Sequence, residues 1–159
     1  MKIKLFNSKV YIVGHFGETY INSKGMGYLH LGLDCTPERT CYDWSTYSPL
    51  SAIGRVVHVD HAHVNFGKMV LIHYPSLNIT LRFAHLEDIY VHLGDKVNCK
   101  TVVGKMGDTG NSPNGAHLHL EVILQKAYGK YDFPDNGFSG RTDPLQLLYS
   151  QGIEFTSVY

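Results

Sequence analysis

Short stretches rich in Val, Ile, Leu, Tyr and Thr recur along this chain, each bounded by Gly, Pro, Asn or Asp. They are Val10–Val13, Gly54–Val59, Lys68–Tyr74, Ile79–His85, Val102–Met106 and His117–Leu124. Residues of this kind, in runs of this length, predict β-strands. Turn signals stand at Pro75, Gly94-Asp95, Gly107-Asp108 and Pro113-Asn114. No long segment carries the 3.6-residue period of an amphipathic helix. Two brief helices are predicted, Leu86–Val91 and Pro144–Ser150. Asp143 would cap the second, with Pro144 at its first position. No repeat, low-complexity tract or linker interrupts the pattern, so residues 1–159 read as one mainly-β domain with little helix.

The clearest pattern is His117-Leu118-His119-Leu120-Glu121, which alternates polar and apolar residues. A strand of this pattern has one wet face and one dry face. His117, His119 and Glu121 share the polar face, while Leu118, Leu120 and Val122 turn to the core. Neighbours on one face lie about 6–7 Å apart. That spacing lets one imidazole hold a metal while the other handles protons or an oxyanion. The bland alternative is an exposed strand face that happens to carry two histidines.

A second pattern is His30-Leu31-Gly32-Leu33-Asp34. Imidazole and carboxylate both bind zinc. In a straight strand the two would stand about 13 Å apart, at roughly 3.3 Å per residue. The backbone must bend between them to serve one ion, and Gly32 permits the bend. The alternative is a surface histidine followed by a turn aspartate. His85, in Phe83-Ala84-His85-Leu86, closes a predicted strand before the first predicted helix, and gains meaning only from its company. A rival cluster, His58-Val59-Asp60-His61-Ala62-His63, could also bind metal. It reads better as a strand end entering a solvated hairpin turn, because Asn65 and Gly67 come next.

Composition narrows the function classes. The net charge is zero and the hydrophobic fraction 43%, which fits a globular domain and gives no reason to expect nucleic-acid binding. No apolar run is long enough for a membrane span, and the first residues lack the apolar core of a signal peptide. The three cysteines, Cys35, Cys41 and Cys99, are expected as free thiols, although Cys35 and Cys41 are near enough in sequence to close a small loop. Ten histidines in 159 residues are the feature that gives weight to the motifs, because histidine is the commonest metal ligand and proton carrier near neutral pH.

Taken in order, these residues resemble the lysostaphin-type (LytM-like) zinc peptidases of bacteria and their phages. His30-x-Gly32-x-Asp34 looks like the first metal motif of that family. Phe83-Ala84-His85-Leu86 is similar to its Tyr-x-His-Leu segment. Gly107-Asp108-Thr109-Gly110-Asn111-Ser112 leading into His117-Leu118-His119-Leu120-Glu121 matches its Gly-x-Thr-Gly-x-Ser and His-Leu-His-Phe-Glu block. Gly94-Asp95-Lys96-Val97, Val103-Gly104 and Asp143-Pro144 match lesser signals. The likeness runs from about residue 14 to residue 148.

The resemblance implies a compact, mostly antiparallel β-sheet domain, barrel- or sandwich-like. It implies one zinc ion held by His30, Asp34 and His119, with His85 and His117 as catalytic histidines whose division of labour stays open. Glu121 is a candidate second partner for a ligand histidine. The implied substrate is the peptide of peptidoglycan, cut at cross-links or stems by a zinc endopeptidase acting on the cell wall, with a phage lysis or virion-associated enzyme fitting best. Two segments depart from the family pattern. They are a stretch from Cys35 to Pro49 carrying Tyr42, Trp44 and Tyr47, and a loop at Asn111–Ala116 that includes Ser112. Trp44, Tyr47, Asn111 and Ser112 are candidates for a substrate groove, or simply for packing. Three rivals stand beside this reading: a silent wall-binding scaffold, a metal-sensing module built on His58, His61 and His63, and a zinc amidase cutting the sugar–peptide junction.

Overall fold

A computed structural model describes residues 2–112, 115–124 and 138–157. Its strands are β1 (Val10–Gly14), β2 (Thr19–Ile21), β3 (Gly27–Leu29), β4 (Leu33–Pro37), β5 (Ser45–Tyr47), β6 (Gly54–His63), β7 (Gly67–Tyr74), β8 (Ile79–Ile89), β9 (Lys96–Val97), β10 (Val102–Met106), β11 (Leu118–Ile123) and β12 (Arg141–Thr142). Helix α1 (Pro144–Ser150) and strand β13 (Phe155–Ser157) complete the order. Eleven strands form one sheet in the order β13-β1-β4-β11-β8-β7-β6-β9, with β10, β5 and β12 attached beside it. The pairings are antiparallel except for β1 with β13. β2 and β3 make a separate hairpin. The mainly-β expectation is borne out, and the sheet stays open instead of closing into a barrel.

Alternation along the strands sorts residues onto two faces. Leu33 and Cys35 of β4, Leu118, Leu120 and Val122 of β11, Leu81 and Phe83 of β8, and Val70 and Ile72 of β7 meet in the main core. Each large aliphatic or aromatic side chain buried there contributes roughly 1.5–3 kcal/mol. A smaller apolar cluster of Met69, Leu71, Ala84 and Ile123 sits on the opposite face, with Phe66 packed against it. Asp34, His119, Glu121 and Arg82 alternate with the main-core residues, so they lie on this second face too. It is not wet as the sequence pattern suggested: every residue of β11 is buried.

Two expectations fail here. Leu86–Val91 is no helix, because β8 continues through Ile89. Met106 pairs with Leu86, Lys105 with Asp88 and Gly104 with Ile89, so cross-strand pairing overrides the weak local preference. Nor is the segment from His58 to His63 a turn. It completes β6, pairing with β7 through two register shifts, and the turn begins only after His63. The predicted helix Pro144–Ser150 is present, with the Asp143 side chain accepting from the Leu145 amide. All three cysteines are free thiols. The Pro113-Asn114 turn signal lies outside the described residues.

An irregularity in β8 places one of the histidines. Val70 pairs with Phe83 but Lys68 pairs with Leu86, so β8 holds one residue more than β7 across this step. His85 absorbs it, with a φ of 61°. A left-handed non-glycine residue is uncommon and costs of order 1–3 kcal/mol, met by the surrounding structure. The His85 amide still finds a partner, the Phe66 carbonyl at 2.8 Å.

Candidate metal centre and histidine cluster

Strand register assembles the cluster. Asp34 of β4 is the direct partner of His119 on β11, and His119 is the direct partner of Ala84 on β8, one residue before His85. His117 immediately precedes β11. His30 sits in the bend before β4, where the chain turns as the sequence spacing required. Gly32 does more than allow that bend. A Cβ there would lie 2.7 Å from His119 Cε1 and 2.7 Å from the Leu120 carbonyl oxygen, so a bare backbone is needed for the His119 ring to pass.

His30 Nε2, Asp34 Oδ1 and His119 Nδ1 converge. His119 Nδ1 is 2.9 Å from Asp34 Oδ1, His30 Nε2 is 3.1 Å from the same oxygen, and the two nitrogens are 3.3 Å apart. His117 Nε2 lies 3.5 Å from Asp34 Oδ1. The His85 ring meets the His117 ring edge-on, with centroids 4.9 Å apart. Among the described residues these three ligand atoms form the one group of His, Cys, Asp and Glu arranged to hold a metal. His58, His61 and His63 do not converge. His63 Nδ1 instead accepts from the Asn65 and Phe66 amides.

Hydrogen bonds determine which nitrogen each ring offers. His30 Nδ1 donates to the His15 carbonyl at 2.7 Å, His85 Nδ1 to the Thr109 carbonyl at 2.8 Å, and His117 Nδ1 to the Gly115 carbonyl at 2.9 Å. In the neutral ring each donation places the proton on Nδ1 and turns the Nε2 lone pair outward. His119 is turned the other way. Its Nε2 is 3.7 Å from Glu121 Oε2, so its Nδ1 faces Asp34 and His30. Nε2 of His30, Nδ1 of His119 and Oδ1 of Asp34 thus point at one another; in the metal-free protein protons bridge them, and a metal taking the place of those protons would meet two nitrogen lone pairs and a carboxylate oxygen.

The charges arise from burial and neighbours. Burial works to raise the Asp34 carboxyl, but hydrogen bonds from His119 and His30 hold it well below the usual carboxylate range. Burial works to lower His119, but Asp34 and Glu121 raise it to about 9. Glu121 is likewise resisted by burial, yet His119, Arg82 and Arg141 hold it at about 2. The His85 imidazole goes down, chiefly through burial, against the bond from Thr109.

The structure brings together His30, Asp34, His85, His117, His119 and Glu121. Ser112 also touches the cluster, with its Oγ 3.3 Å from His117 Nδ1 while it donates to the Gly115 carbonyl. Asn111 is held through its backbone, its amide donating to the Asn65 carbonyl. Trp44 lines a cavity of about 550 Å³ with Tyr11, Thr36, Tyr42, Met106 and Ala116. Thr36 shares the β4 face of Asp34 and Ala116 adjoins His117 in sequence, while none of the clustered residues lines this cavity. Tyr47 lies elsewhere, with its hydroxyl accepting from Asn7 and its ring under the Lys4 ammonium. Sequence reasoning missed His15, Phe66 and Arg82. His15 acts through a carbonyl, which leaves no side-chain signal. Phe66 stacks on His119 at 5.8 Å from a turn far away in sequence. Arg82 could have been found, as a cation between Leu81 and Phe83 in the mostly apolar first half of its strand.

The model of peptidase family M23 matches residues 46–131, which include His85, His117 and His119. An uncharacterized metalloprotease of Buchnera aphidicola is 40% identical over 63 residues, taking in 40% of this chain and 16% of that protein. The fold is similar to the catalytic domain of the antimicrobial peptidase lysostaphin from Staphylococcus simulans, at a TM-score of 0.67 and 20% identity, over 90% of this chain and 93% of that one. It is also similar to a zinc containing peptidase from Vibrio cholerae, at a TM-score of 0.62 and 24% identity, over 87% of this chain and 39% of that one. A family match across more than half of the chain, running through three of the clustered histidines, leads to one conclusion: the chain belongs to peptidase family M23.

Proposed function

We propose that this protein is a zinc metalloendopeptidase that hydrolyses peptide bonds in peptidoglycan cross-links or stem peptides. The observation that carries the reading is the convergence of three ligand atoms, with Nδ1 of His30 tied to a backbone carbonyl and Nε2 of His119 facing Glu121 so that the opposite ring nitrogens meet Asp34. Their separations of 2.9, 3.1 and 3.3 Å compare well with the ~3.3 Å edge of a tetrahedron with bonds of about 2.0–2.1 Å. Two imidazoles and a carboxylate are a donor set that zinc accepts, and three protein ligands leave a fourth position open. When bound, zinc polarises a carbonyl and lowers the pKa of bound water to about 7.

The chain's other residues supply the proton handling. His85 and His117 each present Nε2, with Nδ1 tied to a backbone carbonyl. Burial favours the neutral ring of His85, so it is ready to accept a proton near neutral pH. The pair stands beside the ligand set, where one ring can take the proton of an attacking water and return it to the leaving amine. The other, as an imidazolium carrying a second proton on Nε2, would donate to the oxyanion that forms on the scissile carbonyl. Glu121 Oε2 faces His119 Nε2 at 3.7 Å, an ion-pair contact that favours this orientation of the ring. The Trp44 cavity offers room for the substrate chain beside the cluster. The similarity to lysostaphin and to a zinc containing peptidase supports the metal and the reaction class.

The test is digestion of isolated peptidoglycan, with and without chelator, alongside His119→Ala, with fragments identified by mass spectrometry. New amino termini within the peptide, lost on chelation or in the variant and restored by zinc, are expected. Glycan freed of whole stem peptides would point instead to an amidase. No cleavage of walls of several chemistries by zinc-loaded protein would leave a wall-binding scaffold.

A further inference from the structure

His119 differs from the other three histidines of the cluster in one respect. Their rings are oriented by backbone carbonyls, which the fold places automatically. The Nε2 of His119 instead faces a side-chain carboxylate, Glu121 Oε2 at 3.7 Å, which has its own rotamers. Glu121 must therefore be held by something else, and it is nearly sealed from solvent at 2% exposure.

Two arginines hold it. Arg82 Nη1, from the paired position on β8, donates to Glu121 Oε2 at 2.5 Å. Arg141 Nε, from β12 on the other side of β11, donates to Glu121 Oε1 at 3.0 Å. The Arg82 guanidinium also lies over the Phe66 ring at 4.2 Å, and Phe66 stacks on His119. Arg82 thus braces His119 by two routes, through the carboxylate and through the aromatic ring. This costs stability. Arg82 is 8% exposed, and its Nε has no hydrogen-bond partner among the described residues. A buried Arg–Glu–Arg triad is often less stabilising than apolar residues of the same shape, so packing alone does not account for it.

We propose that Arg82 and Arg141 are positioning residues for the metal centre. They clamp Glu121 so that its carboxylate stays facing Nε2 of His119 and the ring presents Nδ1, and they prevent that carboxylate from turning in as a competing ligand. This rests on the metal-centre reading of His30, Asp34 and His119.

The experiment compares wild type, Arg141→Met, Arg141→Lys and Arg82→Lys. Zinc affinity is read by competition with a chromophoric chelator, the geometry of the centre by the visible spectrum of the cobalt-substituted protein, and the metal-free fold by thermal unfolding. Loss of such an outer partner typically costs 10–100-fold in metal affinity. We expect Arg141→Met to bind zinc about tenfold more weakly with a shifted cobalt spectrum, while the metal-free protein unfolds within a few degrees of wild type. Arg141→Lys and Arg82→Lys should recover part of the affinity. Arg141 is the less buried of the two, so its variants keep the test usable if Arg82→Lys unfolds. Wild-type affinity and an unchanged cobalt spectrum in every folded variant would overturn the clamp and leave the metal centre standing. Failure of the wild type itself to bind zinc would overturn both.

Discussion

The Nδ1 of His85 donates to the backbone carbonyl of Thr109 at 2.8 Å, and Thr109 is itself pinned by its hydroxyl. That hydroxyl donates to the Leu86 carbonyl at 2.6 Å and accepts from the Lys68 amide at 3.0 Å. One threonine therefore joins β7, β8 and the loop before β11, and aims His85. A Cβ on Gly67 would collide with that same hydroxyl oxygen, which shows how closely the strands approach there.

Thr109→Val should expose this dependence. The isosteric change strips two backbone groups of their partner, at about 1–3 kcal/mol each. Unfolding free energy is expected to fall by about 2–6 kcal/mol by denaturant titration, with kcat falling more than KM rises. Thr109→Ser should recover most of both, and equal behaviour of the two variants would contradict the account.

Gly32→Ala replaces no ligand, yet it should damage the metal site. The new Cβ meets His119 Cε1 and the Leu120 carbonyl at 2.7 Å, so the ring must swing away from Asp34. We expect zinc affinity to drop by about tenfold or more in chelator competition, the size seen when the surroundings of a ligand are disturbed. Wild-type affinity in a folded Gly32→Ala protein would show that the ring has slack.

Acid stability of the metal-free protein should depend on Glu121. Its carboxyl stands at about 2, against an ordinary 4.5, because His119, Arg82 and Arg141 outweigh the effect of burial. A group depressed on folding stabilises the fold fully above its unfolded value and loses that contribution as pH falls through the folded one. Stability should thus decline between pH 4.5 and about 2, by an amount on the order of a few kcal/mol. Asp34, also held low, adds a change of the same sign. Denaturant titrations of chelator-treated protein should give a flatter profile for Glu121→Gln, and parallel profiles would refute the assignment.

The cavity beside Trp44 predicts a binding effect separable from folding. Tyr42 lines it yet is 92% exposed, so Tyr42→Ala should change stability by no more than about 0.5 kcal/mol. If substrate occupies the cavity, KM rises several-fold for wall fragments with little change in kcat. An unchanged KM would assign these aromatics to packing.

Replacing His58, His61 and His63 together by Ala should leave bound zinc and activity intact, because their side chains do not converge. Loss of the metal in that triple variant, measured by elemental analysis, would revive the rival site.

Much of the candidate site was legible because short-range backbone geometry is universal. The two-residue period alone puts His117, His119 and Glu121 on one face. The distance between His30 and Asp34 alone demands a bend at Gly32. Asp143-Pro144 announces the helix beginning there, since a capping carboxylate and a preset φ act within a few residues. These are local constraints, and the sequence carries them whatever the rest of the chain does.

What tertiary structure decided is everything that depends on register between distant strands. The sequence could not show that Asp34 faces His119, that Leu86–Ile89 extends a strand, or that His85 takes a left-handed conformation to absorb an extra residue in β8. Nor could it show that Arg82 and Arg141 meet on Glu121 from the two strands flanking it. The wet face expected of β11 is buried for the same reason, because neighbouring strands and Phe66 cover it. Periodicity states which way a side chain points along its own strand, whereas its partner is chosen by the pairing that lets the whole sheet satisfy its backbone hydrogen bonds and bury its apolar faces together.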